Sequence, residues 1–355
     1  MDYESAPLKP YLHRLPPHVI IFPFPVPSHI HPMLNFAQLL CQSHLSVTFV
    51  MTVHARNAFS GFSDLKSHFA GGSIRFEYIP DGLPDDHPRG VPEVFGSLAA
   101  TATPLVKEMV VNLQKEEEAA PPRCVVADGL LTFAVGMAEE VGLPIFQFHC
   151  VSASANWTCL SLPQLIPAGE LPLKGRDMDM LITSVKGMEG FLRFRDLPAH
   201  LRLINDIDND PIMQNFHQLA QNYTQAKHHI INTFHELEGP ILDQMPTIMS
   251  NVYAVGPLHE FLAASGGSIH ATMSDDDDNS KRCLDWLENQ PPKSVLYVSF
   301  GNLTMVSRET LVEFWHGLVN SGQRFLWSLN SLLVTDGEIP AEILTGSREK
   351  TCVVE

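Results

Sequence analysis

Two side chains that can move a proton, His29 and Asp128, stand where apolar runs stop. His29 follows "HVIIFPFPVPS" (18–28), and Asp128 closes "CVVAD" (124–128) with Gly129 directly after it. An aspartate that accepts a hydrogen bond from one imidazole nitrogen fixes the tautomer and raises basicity at the other, giving a base and its orienter. No Ser or Cys sits in a nucleophile-elbow pattern, so the nucleophile of such a site would come from the substrate. Plainer readings stand beside this one. In a chain with 17 histidines, a histidine after a strand is commonly a surface or satisfied polar residue. An Asp before Gly is commonly a turn or cap residue. His31 reads as no more than a residue at the start of a helix.

Other chemistry is sparse. "SFGNLT" (299–304) is a strand-to-loop turn around Gly301, followed by a helix whose N-terminus can hold an anion. Neither a G-x-G-x-x-G nor a G-x-x-x-x-G-K-[ST] pattern occurs, which counts against a nicotinamide enzyme and a P-loop kinase. The acidic run "SDDDDN" (274–279) lacks the turn spacing of a cation loop and reads as solvated. Phe24, Phe95, Phe148, Trp157 and Phe191 suit an apolar acceptor pocket, although each alone fits a core equally well.

The elements that must position these residues read as alternating strands and helices. "HVIIFPF" (18–24) is apolar throughout, as in a strand covered on both faces. Pro32 suits the first turn of a helix, and Met33, Leu34, Ala37, Leu40 and Cys41 recur behind it at helical spacing. "LSVTFVMT" (45–52) completes a strand–helix–strand unit, implying a parallel sheet with a right-handed crossover. Strands at 73–80, 123–129, 143–149 and 228–234 alternate with helices at 97–118, 132–142 and 210–227, which predicts a doubly wound α/β domain. Ligands of such a sheet bind outside the carboxyl ends of its strands. His29, expected in the loop after the first strand, and Asp128 then share the functional rim.

The expected organisation is an arm at 1–17, a first domain at 18–255, an acidic linker at 256–282 and a second α/β segment at 283–355. That segment offers strand, helix and strand at 294–300, 308–322 and 324–329, so it reads as an incomplete domain. Its uncovered apolar face and unpaired edge predict a poorly stable chain. The net charge of -17 argues against nucleic acid and anionic membrane as partners. Six dispersed cysteines without a C-x-x-C pair predict free thiols in a reducing compartment and no zinc site. The N-terminus has no apolar h-region, and no stretch approaches about 18 uninterrupted apolar residues. The expectation is a cytoplasmic monomer without a membrane span.

Several blocks in order carry a resemblance: "FPFPVPSHIHPMLNFAQLL" (22–40), "DGLP" (81–84), "CVVADG" (124–129), "RFRDLP" (193–198), "NTFHELE" (232–238), "YAVGPL" (253–258) and "CLDWLENQPPKSVLYVSFGN" (283–302). With these the chain from His18 onward resembles the plant secondary-metabolite UDP-glycosyltransferases, and among them those that glucosylate iridoids, through "DGLPDDHPRG", "GMEGFLRFRDLP" and "LVEFWHGLVNSGQRFLW". The resemblance implies two Rossmann-like domains of the GT-B type, an N-terminal one for the acceptor and a C-terminal one for the donor. It implies His29 as general base, Asp128 as its orienter, and inverting transfer of glucose from UDP-glucose to a hydroxyl or carboxyl of a small apolar terpenoid. No cofactor and no metal are implied; the partners are a UDP-sugar and a small-molecule acceptor. Gly301, Asn302, Thr304 and Cys150 match donor-side positions, and Phe24, Phe95, Phe148, His149, Trp157 and Phe191 fall to the acceptor side.

The chain departs from the pattern at several places. Pro27-Ser28 precedes the base where Q-G is usual, and His31 replaces a usual Asn. Cys150 stands for a Thr, Asn302 for a Ser and Asn330 for an Arg. "SREKTCVVE" (347–355) resembles the segment just before the family's donor signature, which implies a chain truncated ahead of it. Two readings follow: a glucosyltransferase, or an inactive remnant that binds acceptor only.

Overall fold

The computed structural model describes residues 15–58, 74–85, 87, 89, 91–116, 120–173, 175–198, 201, 206–207, 209–266, 278–301, 305–329, 334–335, 338–346 and 351–354. Asn302, Thr304, Asn330, most of the arm and most of the acidic run lie outside these residues. The chain divides into two compact units, Met1–Ile269 and His270–Glu355.

The first unit is built on seven parallel strands: β1 (His18–Phe22), β2 (Ser46–Thr52), β3 (Ile74–Ile79), β4 (Pro122–Asp128), β5 (Ile145–His149), β6 (His229–Ile231) and β7 (Val252–Ala254). Their order is β3-β2-β1-β4-β5-β6-β7. The unbroken apolar sequence of β1 reflects burial on both sides. Val19 and Ile21 pack with Ile30, Leu34 and Ala37 of the helix Pro27–Gln42. Ile20 and Phe22 pack with Leu98, Ala102 and Val106 of the helix Val91–Lys115 on the other side. That long helix has the length and apolarity of a membrane span, yet its stripe of Leu98, Ala102, Val106, Val110 and Leu113 is buried in this core.

Chain order reverses between β1 and β4, which lie side by side in register from Val19↔Cys124 to Phe22↔Ala127. From β1 the sheet grows through β2 and β3 in one direction, and from β4 through β5, β6 and β7 in the other. The loops leaving β1 and β4 therefore part to opposite faces and open a crevice, the usual ligand position in a doubly wound sheet.

Three local differences from the sequence reading matter. The first helix starts at Pro27, not at Pro32, which lies inside it. Proline at the first helical position loses no hydrogen bond that the helix would make, and extended Val26 precedes it, its carbonyl accepting from the His29 and Ile30 amides without a side-chain cap. His29 is thus in the first turn of a helix and not in a loop. Leu258–Ala264, in the segment read as linker, is a helix with Leu258 and Leu262 buried. The helix Ala153–Leu165 was not legible, because it is buried on nearly every side and shows no apolar stripe.

The second unit holds the helices Asp278–Glu288 and Arg308–Asn320 and a parallel sheet in the order β10-β9-β8. Its strands are β8 (Val295–Ser299), β9 (Arg324–Ser328) and β10 (Thr351–Val354), the last not foreseen. Leu311, Phe325, Trp327, Ile343 and Val353 form its core. Leu296 and Tyr297 on β8 are exposed.

Candidate active site

At the crevice, His29 Nδ1 donates to Asp128 Oδ2 at 2.7 Å. The two residues come together from 99 positions apart because β1 and β4 are neighbours and both end there. Asp128 is 1% exposed and its carboxylate is held at both oxygens. Oδ1 accepts from the Leu130 amide at 3.0 Å, and Oδ2 accepts from the Phe24 amide at 3.3 Å. These amides fix the carboxylate plane, and the carboxylate fixes the imidazole. With its Nδ1 proton committed to Asp128, the His29 ring presents a lone pair at Nε2, and 12% side-chain exposure leaves the ring reachable.

Phe24 stands edge-on to the His29 ring at 5.8 Å, and Phe95 lies 4.9 Å from Phe24. Of the residues assigned to the acceptor side, Phe24 touches the His29 ring but is itself 2% exposed in the core, and the half-buried Phe95 lies against Phe24. The others do not join them. Phe148 is fully buried against Phe36 at 5.4 Å, on the face of β5 that packs on the first helix. Trp157 is 2% exposed in a separate core, its Nε1 donating to the Lys186 carbonyl at 2.8 Å. Phe191 is exposed in a turn. Gly301 sits in the turn after β8 with φ +73°, the left-handed region that favours glycine.

Cys150, just past β5, lies at the dyad itself. Its Sγ is 3.7 Å from Asp128 Oδ2 and 3.6 Å from the His29 carbonyl oxygen. Burial, and after it the Asp128 charge, raise the Cys150 thiol well above the ordinary cysteine range, so it is a neutral thiol and not a nucleophile.

His149 is buried behind the site. Its Nε2 contacts His229 Nδ1 at 3.1 Å, and His229 Nε2 contacts the Ala226 carbonyl at 3.2 Å. Since a carbonyl only accepts, His229 donates from Nε2 and receives at Nδ1 from His149. The remaining nitrogen, His149 Nδ1, has no partner. Burial pushes His149 down to about 3 and His229 down to about 4, and each is further opposed by a neighbouring histidine.

Gly129 makes this packing possible. A Cβ there would lie 2.8 Å from His149 Nδ1 and 3.1 Å from the Tyr223 hydroxyl, both closer than ordinary contact. Gly129→Ala is expected to destabilise the protein by roughly 1–3 kcal/mol, the usual result of overpacking. An unchanged urea midpoint would contradict that close approach.

The sequence reading also missed Glu238. Its Oε2 accepts from the Ala153 amide at 2.9 Å and the Thr233 hydroxyl at 2.7 Å, and its Oε1 from the Ser154 amide at 2.8 Å. Burial opposes the charge, but these hydrogen bonds outweigh it and hold the carboxyl below its usual value. Glu238 thereby pins the helix that begins beside Cys150. Its only sequence signal was its place in "NTFHELE".

No family model matches the chain. A 7-deoxyloganetic acid glucosyl transferase of Catharanthus roseus is 42% identical to it over 96% of the chain and 73% of that protein's length. A myricetin 3-O-rhamnoside 1,2-glucosyltransferase of Crocosmia x crocosmiiflora is 36% identical over 93% of the chain and 69% of that protein. Among solved structures, a UDP-glucose: anthocyanidin 3-O-glucosyltransferase in complex with UDP superposes with a TM-score of 0.71 at 24% identity, covering 95% of this chain and 71% of that one. That last likeness shows the fold, GT-B.

Proposed function

Since the chain belongs to the plant UDP-glycosyltransferase family, we propose that His29 and Asp128 carry an inverting transfer of glucose from UDP-glucose to a small apolar acceptor. The observation that carries this is the 2.7 Å hydrogen bond between them at the reversal point of the sheet. His29 Nε2 takes the proton of an acceptor hydroxyl as its oxygen attacks the anomeric carbon. The bond from that carbon to the UDP oxygen breaks on the opposite face, so UDP leaves with the electron pair and the configuration inverts. Asp128 meanwhile balances the positive charge that grows on the imidazole.

The 42% identical relative supports an iridoid or related terpenoid bearing a hydroxyl or carboxyl as the acceptor. Gly301, on the turn after β8, is assigned to the donor diphosphate. The six free cysteines support a cytoplasmic setting.

Incubation of the protein with UDP-glucose and a panel of terpenoid acceptors tests this. The expected result is a β-glucoside and UDP in equal amounts. Acceptor binding with no UDP released would overturn the transferase reading in favour of a binding remnant.

A further inference from the structure

His29, Asp128 and Cys150 form a three-donor cluster whose nitrogen, oxygen and sulfur atoms lie within 4.8 Å of one another. We propose that this cluster is a site for a soft divalent cation, zinc foremost, and that its occupancy switches off the base.

The donors come from three structural ends: the first turn of the first helix, the end of β4 and the residue after β5. The sheet therefore fixes their spacing. A mixed imidazole, carboxylate and thiolate set is the chemistry that zinc prefers over magnesium or calcium. Tetrahedral zinc needs sulfur and oxygen about 3.6 Å apart and nitrogen and oxygen about 3.4 Å apart, from metal–ligand lengths of about 2.0–2.3 Å. Cys150 Sγ and Asp128 Oδ2 already stand 3.7 Å apart. His29 Nδ1 and Asp128 Oδ2 stand at 2.7 Å and need a small rotation of one ring to admit the ion where their proton now lies. The amides of Leu130 and Phe24 already hold the carboxylate, as supporting contacts do at metal sites. Three protein donors leave a fourth position for water.

Inhibition follows from proton bookkeeping. In the free protein Nδ1 carries the imidazole proton and Nε2 the lone pair. A cation bound at Nδ1 needs a lone pair on that nitrogen, so the proton shifts from Nδ1 to Nε2, the Nε2 pair is taken up, and the base is lost. The Cys150 thiol gives up its proton to become the ligand, so about one proton is released per cation bound. The inhibition half of this inference rests on His29 being the base; the binding half does not.

Cobalt(II) titrated into the purified protein tests the site directly. The expected result is a thiolate-to-cobalt charge-transfer band, displaced by zinc, with about one proton released per metal. Cys150→Ser and Cys150→Ala, each checked for native circular dichroism, should lose the band and weaken binding by more than about 100-fold, beyond the loss of a supporting contact. No band in the wild type, or an undiminished band in both variants, overturns the site. Zinc should also lower the wild-type rate relative to the same protein treated with chelator. A cobalt band without inhibition leaves the cation site standing and overturns His29 as the base.

Discussion

Replacing His29 with asparagine is expected to lower transfer to a hydroxyl acceptor by about 10²–10⁴-fold, the usual contribution of a positioned general base. The fold should survive. The helix that carries His29 is anchored by Ile30, Met33, Leu34 and Ala37, all buried, while the His29 ring faces the crevice. The effect depends on acceptor chemistry. A carboxylic acid, with a pKa near 4, is already ionised at neutral pH and has no proton for the base to take. His29→Asn should therefore spare transfer to a carboxylate relative to a hydroxyl, and the ratio of the two losses reads out the base itself. Asp128→Asn probes the same point from behind. An amide nitrogen facing Nδ1 donates where the carboxylate accepted, which puts the imidazole proton on Nε2 and removes the lone pair. A wild-type rate on a hydroxyl acceptor in either variant would rule out the dyad as the proton-transfer machinery.

The dyad was legible in the sequence because β1 and β4 are buried on both faces. Their apolar runs mark where each strand stops, and the doubly wound pattern places both ends on one rim. The spacing of the glycines also showed that a dinucleotide fingerprint is absent from the sequence. Which aromatic residues reach the dyad was less legible, since it depends on which face each side chain takes. Along β5, Phe148 turns toward the first helix while His149 turns toward Tyr223, and a shift of one residue exchanges them. Two prolines five residues apart, Pro27 and Pro32, each satisfy the rule for a helix start; the extended Val26 decides between them, and only the backbone shows it. The place of Cys150 beside the carboxylate follows from β5 lying next to β4, but that its thiol turns toward Asp128 shows only in the structure.

Acid should unfold the first unit through its buried histidine pair. His149 and His229 are 2% and 0% exposed; burial opposes a charge on either ring, and the His149 donor at His229 Nδ1 leaves no room there for a second proton. Their folded pKa values, about 3 and about 4, lie below the unfolded value of about 6.5. Below pH 6.5 the unfolded chain thus binds protons that the folded one refuses. The pair's contribution is fully present above that pH and is lost as pH falls toward the folded values. Between pH 7 and pH 5 each histidine is expected to cost about 2 kcal/mol of stability, about 4 kcal/mol for the pair. His18, His31 and His54 are lowered by burial as well and add in the same direction. Glu238, held below its usual value, adds a loss only at lower pH, outside this window. The pair is therefore isolated by difference. His149→Phe keeps an aromatic ring against Tyr223 and removes one titrating group, so its urea-derived stability should fall about 2 kcal/mol less than the wild type's from pH 7 to pH 5. Equal pH slopes for the two proteins would show that the buried pair is not what makes the fold acid-labile.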